Sequence, residues 1–364
     1  MTTKEFYNLI LEKKDKYLEK SKNFNKKKTI LICKKEELEL FNNLSNKENI
    51  KFDQVYFSCN LEKIFTKYKN DINYFISNNI INDTVYMKIL ESKINLENVY
   101  IGPTKDAYFD LYDKRYIIYS NIDKIFKVYN LLEDEKSKNI YLNIIVRLCI
   151  PYQYHYYYEI EDNKQYYFNN FKFAENEVYL DAGVCDGKNV LDFFKFVKGK
   201  YEHIYGFEAD KSNYELSKKN LEKYNLYNFE LIQGALYSKK GYLSFFSSKK
   251  TGKKGNAHVQ ENGDIIVKAY IGDDLIKLPT FIKMDIEGSE KDALLGLKNI
   301  IEKKSPKLAI CIYHFQEDFW EIPILINNLN PNYKLAIRNH EKMYNLLETV
   351  CYAYIEEDNG NKNL

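Results

Sequence analysis

Two hydrophobic patterns, one typical of strands and one typical of helices, alternate along the C-terminal half of the chain. From Val178 onward, short apolar runs are separated by stretches with helical spacing. This pattern predicts an α/β fold, a doubly wound and mostly parallel sheet with helices on both faces. A short turn-like segment, His340–Glu348, precedes the last strand, which we therefore expect to be antiparallel. The predicted strands are Val178–Asp181, His203–Glu208, Glu230–Gly234, Thr280–Asp285, Leu308–His314, Tyr333–Arg338 and Thr349–Ile355, and the predicted helices are Asn189–Lys198, Asn213–Tyr224, Ser289–Lys303 and Glu317–Asn328.

A smaller α/β unit is predicted before this sheet. Its strands are Thr29–Cys33, Gln54–Ser58, Val99–Ile101 and Arg115–Tyr119. No glycine-rich turn follows the first of them, so we do not expect a dinucleotide site there. The segment Asn121–Arg147 has a helical pattern in two pieces. We expect a smaller accessory α/β domain of unknown role over residues 1–120, a helical linker and tyrosine-rich segment over 121–170, the larger domain over 171–357 and a polar tail over 358–364.

Charge and cysteine content narrow the class of protein. The chain has 54 basic and 52 acidic residues, a net charge of +2, whereas a dedicated nucleic-acid binder carries a marked basic excess. No apolar run has the roughly 18 residues that a membrane helix needs, and the N-terminus lacks the pattern of a signal peptide. The six cysteines form no CxxC pair. We expect a cytoplasmic protein that binds no nucleic acid and has no membrane span.

The first strand of the larger domain leads into a glycine-containing loop, VYLDAGVCDG. Asp181 ends the strand, Gly183 lets the backbone turn without a side chain in a ligand's way, and Gly187 precedes a helix with free N–H groups. The spacing is DxGxxxG, not the GxGxxG of dinucleotide sites. An acid beside the loop suits a positively charged ligand with an amino-acid end, such as S-adenosylmethionine (SAM). A βα turn without a ligand is the alternative.

The next two strands add candidates for the same site. Glu208 follows Gly187 near the roughly 20-residue offset at which an acid binds ribose hydroxyls. A solvated helix-cap acid is the alternative, although Asp210 is the better candidate for that cap. Gly234 and Ala235, at the end of the third strand, complete the predicted cofactor site.

A pair of carboxylates follows the fourth strand, in FIKMDIEGSE. Extended geometry would place Asp285 and Glu287 on one side of the strand and Ile286 on the other. The two acids could take a proton, bind a metal or hold the ammonium group of SAM, with favourable charge at a helix N-terminus as the alternative. His314 could face Asp285, where a near-neutral pKa would suit it to deprotonate a hydroxyl. We predict Asp285, Glu287 and His314 as catalytic residues and no metal, although a divalent ion on these three groups is chemically possible.

These segments, in this order, resemble the class I SAM-dependent methyltransferases. DIEGSE, the downstream PKLAICIYH and DFWEIPILI, and the late RNH and ETVCYAY elements narrow the resemblance to the FkbM family, over about residues 121–354. The family implies transfer of a methyl group from SAM, usually to an oxygen of a sugar, glycolipid or natural product. The segment Gly255–His258 departs from the Gly/Ser-rich turn of many members and leaves the acceptor side open.

We expect O-methylation of a sugar hydroxyl on a glycan or glycan precursor. The alternatives are N-methylation of a glycan-linked amine and a catalytically degenerate SAM-binding subunit, while the missing third glycine disfavours an NAD-dependent oxidoreductase. Two clusters could contact the acceptor. Tyrosines could form a stacking face for a sugar, or an edge strand or lid: Tyr152, Tyr154, Tyr156, Tyr158, Tyr166 and Tyr167. Lysines could steer an anionic acceptor, or be ordinary surface: Lys249, Lys250, Lys253 and Lys254.

Overall fold

The structure is a computed structural model, and it falls into two units. One is drawn from Met1–Tyr129 and Asn139–Ile160, and the other from Asn130–Lys138, Glu161–His340 and Leu347–Leu364. The domain limits expected from the sequence stay a prediction. The structure describes residues 1–22, 27–48, 50–57, 61–77, 80, 85, 88–89, 91–94, 98–102, 117–149, 153–154, 165–246, 258–259, 263, 265–340 and 348–356.

The first unit contains a five-stranded sheet. Its strands are β1 (Thr29–Cys33), β2 (Gln54–Phe57), β3 (Asn73–Ser77), β4 (Val99–Gly102) and β5 (Gln153–Tyr154), in the order β2-β1-β3-β4-β5. All pairings are parallel except that between β4 and β5. The helices α1 (Thr3–Lys22), α2 (Leu38–Glu48) and α3 (Leu61–Tyr68) belong to the same unit. The sequence prediction missed β3, and it was wrong for residues 117–119, which are helical.

Two further helices, α4 (Ile122–Leu131) and α5 (Glu135–Leu148), confirm the helix in two pieces. The break between them has a physical cause. Asp134 accepts hydrogen bonds from the backbone N–H and the hydroxyl of Ser137, at 2.7 and 2.9 Å, and so caps the second helix. Backbone pairing between Leu132 and Leu335 joins this break to the sheet of the second unit.

The second unit is built on a seven-stranded sheet of order β15-β16-β14-β13-β6-β7-β8. Its strands run parallel except β16, which is antiparallel to both β14 and β15. The expected antiparallel last strand is therefore confirmed. The strands of this unit are β6 (Val178–Ala182), β7 (His203–Glu208), β8 (Phe229–Gln233), β9 (Ala235–Leu236), β10 (Gly241–Phe246), β11 (His258–Val259), β12 (Ile265–Tyr270), β13 (Phe281–Met284), β14 (Lys307–Cys311), β15 (Lys334–Asn339) and β16 (Thr349–Tyr354).

Helices follow most of these parallel strands, as the apolar spacing predicts. They are α6 (Lys188–Phe196), α7 (Lys211–Leu221), α8 (Gly272–Leu275), α9 (Glu290–Gly296), α10 (Lys298–Lys304) and α11 (Asp318–Leu329). Asp210 caps α7 by accepting the N–H groups of Ser212 and Asn213 at 2.8 and 3.0 Å, as expected. The single helix predicted over Ser289–Lys303 is instead two helices that meet at Leu297.

A four-stranded sheet of order β11-β10-β12-β9 was not predicted from the sequence. Its inner face buries Phe245 and Val267, whereas Tyr242 and Ile266 on its outer face are 75% and 68% exposed. Strand β9 follows β8 directly, so this sheet lies beside the carboxyl end of the larger one. None of the helices in the described part of the chain is both long and apolar enough to span a bilayer.

Candidate active site

A cleft opens at the carboxyl ends of β6, β7 and β13. Doubly wound sheets bind ligands at this edge. Three apolar side chains, Phe207, Leu236 and Phe245, line one part of it. Six of the predicted site residues also line it: Gly183, Glu208, Gly234, Ala235, Asp285 and Glu287.

Three other predicted residues lie outside the cleft wall. Asp181 is fully buried below it, with Oδ1 3.0 Å from the Nζ of Lys283. Gly187 starts α6 with φ +89°, and a Cβ there would lie 3.0 Å from the Cγ of Leu221. His314 is 7% exposed and lies behind the acidic pair. Asp181 and Gly187 thus do not line the cleft, and their part in cofactor binding stays a prediction.

Gly183 is required by two features of its position. Its φ of +86° is a conformation that side chains rarely adopt, and a Cβ there would lie 1.9 Å from the carbonyl oxygen of Asp285. The N–H groups of Gly183 and Val184 both donate to the carbonyl of Phe207, at 2.9 and 3.2 Å. The bare backbone of Gly183 therefore packs between β7 and the acidic turn while its other side faces the cleft.

Glu208 sits at the end of β7 with its carboxylate turned back onto the glycine loop. One oxygen accepts the N–H of Cys185 and the other accepts the N–H of Asp210, both at 2.8 Å. Burial raises the pKa of Glu208 to about 7, although these two hydrogen bonds act in the opposite direction. A carboxylate oxygen accepts more than one hydrogen bond, so Glu208 can still receive hydroxyl donors from the cleft.

The acidic pair does not keep the extended geometry expected from the sequence. β13 ends at Met284, and Glu287 has a left-handed backbone with φ +55°. Ile286 lines the cleft together with both acids, so the expectation that it would point away is wrong. The N–H of Ile286 donates to Oε1 of Glu290 at 2.8 Å, which holds the turn.

Asp285 is held as an anion by several donors. The hydroxyls of Tyr166 and Tyr313 each donate to it at 3.1 Å. Burial alone would raise the pKa of Asp285, but the hydrogen bond with His314 and the charge of Lys283 lower it below its ordinary value. Asp285 is therefore ionised throughout the neutral range.

His314 lies between carboxylates on both of its ring nitrogens. Nδ1 is 3.1 Å from Oε1 of Glu290, and Nε2 is 3.3 Å from Asp285 and 3.6 Å from Glu287. Burial alone would lower the pKa of His314, but hydrogen bonds to Asp285 and Glu290 raise it to about 11. The expectation of a near-neutral histidine base is wrong, because an imidazolium cannot accept the proton of a hydroxyl.

Comparisons with known proteins identify the type of domain that contains this cleft. Residues 181–355 match the methyltransferase FkbM domain. The chain contains an FkbM methyltransferase domain. The chain is also similar in fold to a solved FkbM methyltransferase from Methylobacillus flagellatus KT, with 18% identity, 97% of this chain and 100% of that chain covered, and a TM-score of 0.63.

Other solved structures resemble only part of the chain. An rRNA methylase from Streptococcus thermophilus has 13% identity over 50% of this chain and 89% of that chain, with a TM-score of 0.33. A fibrillarin from Aeropyrum pernix with bound SAM has 9% identity over 50% of this chain and 69% of that chain, with a TM-score of 0.32. No curated protein matches the chain. The FkbM domain makes this chain a methyltransferase, as the sequence indicated.

Glu287 is the acid of the FkbM domain that is tuned to neutral pH. Its side chain is 30% exposed and lines the cleft. Burial raises the pKa of Glu287 to about 7, against the opposing influence of the His314 cation. Two carboxylates of one turn thus have different charge states, since Asp285 is fixed as an anion and Glu287 can gain or lose a proton near pH 7.

The FkbM domain also contains site residues that the sequence analysis missed. Lys283 is completely buried in β13, and Glu290 is buried at the start of α9. The sequence analysis predicted His314 as a site residue but not its neighbour Tyr313, whose hydroxyl donates to Asp285. The sequence signal for Lys283 was present, because a lysine inside the apolar strand FIKM must have a buried partner. The partners of Glu290 and Tyr313 depend on the packing of separate chain segments.

Asp285, Glu290 and His314 offer ligand atoms within 4.8 Å of one another, a spacing that a divalent ion could use. The protonated His314 provides a positive charge 3.3 Å from Asp285 and 3.1 Å from Glu290. This group contains Glu290 in place of Glu287, which the sequence suggested as the third ligand.

The two clusters expected near the acceptor are only partly described. Tyr166 contacts Asp285, and Tyr167 stacks on Phe196 with ring centroids 4.4 Å apart. Tyr154 belongs to the edge strand β5 and pairs with Tyr100 in the first unit. The remaining members lie outside the described residues: Tyr152, Tyr156, Tyr158, Lys249, Lys250, Lys253 and Lys254.

Proposed function

We propose that the FkbM domain binds SAM in the cleft and transfers its methyl group to a hydroxyl of a carbohydrate, on a glycan or glycan precursor. The observation that carries the proposal is the arrangement of carboxylates around one cleft. Glu208 lies at the end of β7, and Asp285 and Glu287 lie at the end of β13. This arrangement supports a site in which a carboxylate on β7 accepts hydrogen bonds from a ribose diol and a carboxylate after β13 accepts a proton.

The chemistry of the cleft fits SAM. Gly183 leaves its loop without a side chain, and Glu208 can accept hydrogen bonds from a ribose diol. The apolar side chains Phe207, Leu236 and Phe245 suit the adenine ring. Bound SAM would supply a methyl group made electrophilic by the positive sulfonium. The anionic Asp285 provides the negative charge that favours such a cation.

Glu287 is the residue that we assign to proton removal. A general base works best when its pKa is near the working pH, and the pKa of Glu287 is about 7. Asp285 is too weak a base, because its pKa is lowered, and His314 already carries its proton. A sugar hydroxyl must lose a proton as it is methylated, so a base in this position supports the O-methylation expected from the sequence.

An exposed aromatic ring beside the acidic turn supports a carbohydrate acceptor. The ring of Phe315 is 52% exposed and packs on Gly288, where a Cβ would lie 2.1 Å from Cε2 of the ring. Its backbone N–H is held by Asp318 at 3.1 Å. A fixed, half-exposed ring next to Glu287 can receive the apolar face of a sugar. The anionic character of the acceptor and the cytoplasmic location stay predictions from the sequence.

The first experiment is calorimetry of the purified protein with SAM, its product S-adenosylhomocysteine (SAH) and NAD. We expect micromolar-scale binding of SAM and SAH and no binding of NAD. NAD binding without SAM or SAH binding would overturn the cofactor assignment.

The second experiment follows SAH release with a panel of nucleotide sugars and nitrophenyl glycosides, with and without a free amino group. Mass spectrometry of the product places the added methyl. Methylation of sugars that lack an amine supports the proposal, whereas products confined to the amino sugars, with the methyl on nitrogen, favour the N-methylation alternative. SAH binding without turnover of any acceptor would favour the degenerate subunit.

A further inference from the structure

A fully buried ammonium group lies directly beneath the glycine loop. Lys283 has no exposed surface, and it belongs to β13, the middle strand of the seven-stranded sheet. It pairs with Asp181 of the neighbouring strand β6 at 3.0 Å. An unpaired buried charge strongly destabilises a fold, so Lys283 and Asp181 can be buried only as a pair.

The remaining hydrogen-bond donors of Lys283 reach the backbone of the loop. Its Nζ donates to the carbonyl of Gly183 at 2.8 Å and to that of Ala182 at 3.3 Å. These two hydrogen bonds and the ion pair with Asp181 surround an ammonium group that has no exposed surface. Lys283 therefore does not reach a ligand in the cleft and can act only through the groups that it contacts.

One peptide group of the loop is held from both sides. The carbonyl of Gly183 accepts the bond from Lys283 on β13, while the N–H of Val184 in the same peptide donates to Phe207 on β7 at 3.2 Å. The next N–H, of Cys185, donates to Glu208. These contacts fix the plane of the peptide in the left-handed turn at Gly183, and with it the direction in which the loop faces the cleft.

We propose that Lys283 is a positioning residue that sets the conformation of the SAM loop through the Gly183 carbonyl, with Asp181 as the counter-ion that makes its burial possible. The inference rests on the proposed cofactor site. It gives Asp181 a role beneath the loop rather than on the ligand. It also joins the loop to the acidic turn, because Lys283 on β13 lies two residues before Asp285 and its charge favours the anionic form of that acid.

The chain offers a matched control for the loss of a buried ion pair. Lys307 on β14 pairs with Glu177, next to β6, at 2.9 Å, with side-chain exposures of 18% and 2%. This pair lies at the amino ends of the strands, at the opposite edge of the sheet from the cleft. Removal of the Lys307–Glu177 pair therefore shows the effect of losing a buried ion pair from the sheet at a place that does not contact the glycine loop.

The test uses two double variants of the full chain, Asp181→Asn with Lys283→Met, and Glu177→Gln with Lys307→Met. Both remove an ion pair without leaving an isolated buried charge. We expect a rise of about 10-fold or more in the Kd of SAH for the first variant and less than a twofold change for the second, at a temperature where both are folded. A change of less than twofold in the first variant would overturn the inference.

Hydrogen exchange gives a readout that does not depend on SAH. We expect faster exchange of the amides of Val184 and Cys185 in the ligand-free Lys283→Gln protein than in the ligand-free wild type, with unchanged exchange in β14. Unchanged exchange of the loop amides would contradict the inference even if SAH does not bind the wild type. Failure of the wild type to bind SAH would instead overturn the proposed function.

Discussion

The Nε2 atom of His314 lies 3.6 Å from Oε2 of Glu287, so a buried cation stands directly behind the carboxylate that titrates near pH 7. His314 is itself held by Glu290 on its other nitrogen, at 3.1 Å. This arrangement supports the proposal that Glu287 carries the proton exchanged near pH 7 and that the charge of His314 lowers the pKa of Glu287.

Glu287→Gln should abolish most methyl transfer without loss of SAH binding. The amide keeps the size of the side chain but cannot accept a proton at neutral pH, and a general base contributes roughly 10²–10⁴-fold to a rate. Steady-state turnover with the acceptor found in the panel, together with calorimetry of SAH, separates the two effects. Glu302→Gln, on the exposed surface of α10, is the control and should leave turnover unchanged. Turnover within twofold of the wild type in Glu287→Gln would remove Glu287 from the mechanism.

His314→Ala should move the pH dependence of turnover instead of removing it. Loss of a cation near a carboxylate raises the pKa of that carboxylate, by about 1 unit or more at this distance. We expect the acidic limb of the pH–rate profile, near pH 7 in the wild type, to shift to higher pH, with activity recovering in alkaline buffer. The control is His203→Ala, because His203 pairs with Glu230 at 3.1 Å far from the acidic turn. If the pH–rate profile of His314→Ala lacks the acidic limb, and alkaline buffer does not restore activity, then His314 is the base.

Glu208 should couple SAH binding to proton release. Its pKa is about 7 without a ligand because of burial, and hydroxyl donors from a ribose diol would favour the ionised form. Calorimetry at pH 6.5 in two buffers of different ionisation enthalpy should show proton release, and affinity should rise between pH 6 and 8. Glu208→Gln should weaken SAH by about 1–3 kcal/mol and remove this pH dependence. Affinity that does not change with pH in the wild type would contradict a role for Glu208 in binding the diol.

The stability of the ligand-free second unit should be greatest in mildly acidic solution. The pKa of Glu208 is raised from 4.5 to about 7, so the folded state binds its proton more tightly and the free energy of unfolding falls as pH rises across that interval. The pKa of His314 is raised from 6.5 to about 11. The stabilisation of the folded state by the His314 cation is therefore complete below pH 6.5 and is lost progressively as pH rises from 6.5 to 11. Asp285, whose pKa is lowered, stabilises the fold above about pH 3.8 and loses this effect in acid.

The single tryptophan, Trp320, reports on this unit because it is fully buried in α11. Urea unfolding followed by its fluorescence at pH 5.5, 7 and 8.5 should give a declining free energy of unfolding. Glu208→Gln should make the decline between pH 5.5 and 7 shallower, since the amide does not titrate, while Glu287, with a pKa also raised to about 7, continues to contribute to it. Stability that increases steadily from pH 5.5 to 8.5 would contradict the pKa directions of these groups.

The sequence was sufficient for the parts of the fold that depend on local pattern. The strands of the large sheet are short apolar runs, and these runs locate the glycine loop after β6 and the acid at the end of β7. The four-stranded sheet was missed because its buried contacts, such as Phe245 with Val267, join strands that each show weak alternation. The segment NYFIS of β3 carried a strand pattern that was overlooked.

The charge states of the site depend on contacts that no local pattern contains. The pKa of His314 is set by Glu290 and Asp285, which lie on different elements. Burial raises the pKa of both acids, but the contacts of Asp285 with His314 and Lys283 outweigh it for Asp285, whereas burial prevails for Glu287. Composition and spacing located the acids but could not decide which of them holds a proton.

Gly183→Ala should destabilise the second unit as well as weaken SAH binding. A Cβ would lie 1.9 Å from the carbonyl oxygen of Asp285, and φ is +86°, so the variant carries both a steric clash and a strained backbone. Overpacking and a left-handed backbone at a residue with a side chain each cost roughly 1–3 kcal/mol. We therefore expect the free energy of unfolding, measured in urea, to fall by about 3 kcal/mol. Gly241→Ala is the control, because its φ is +147° but a Cβ there meets nothing within 4 Å. The control should lose less stability and keep its SAH affinity. Equal losses of stability in the two variants would show that the backbone angle alone matters, and that Gly183 does not join the loop to the acidic turn.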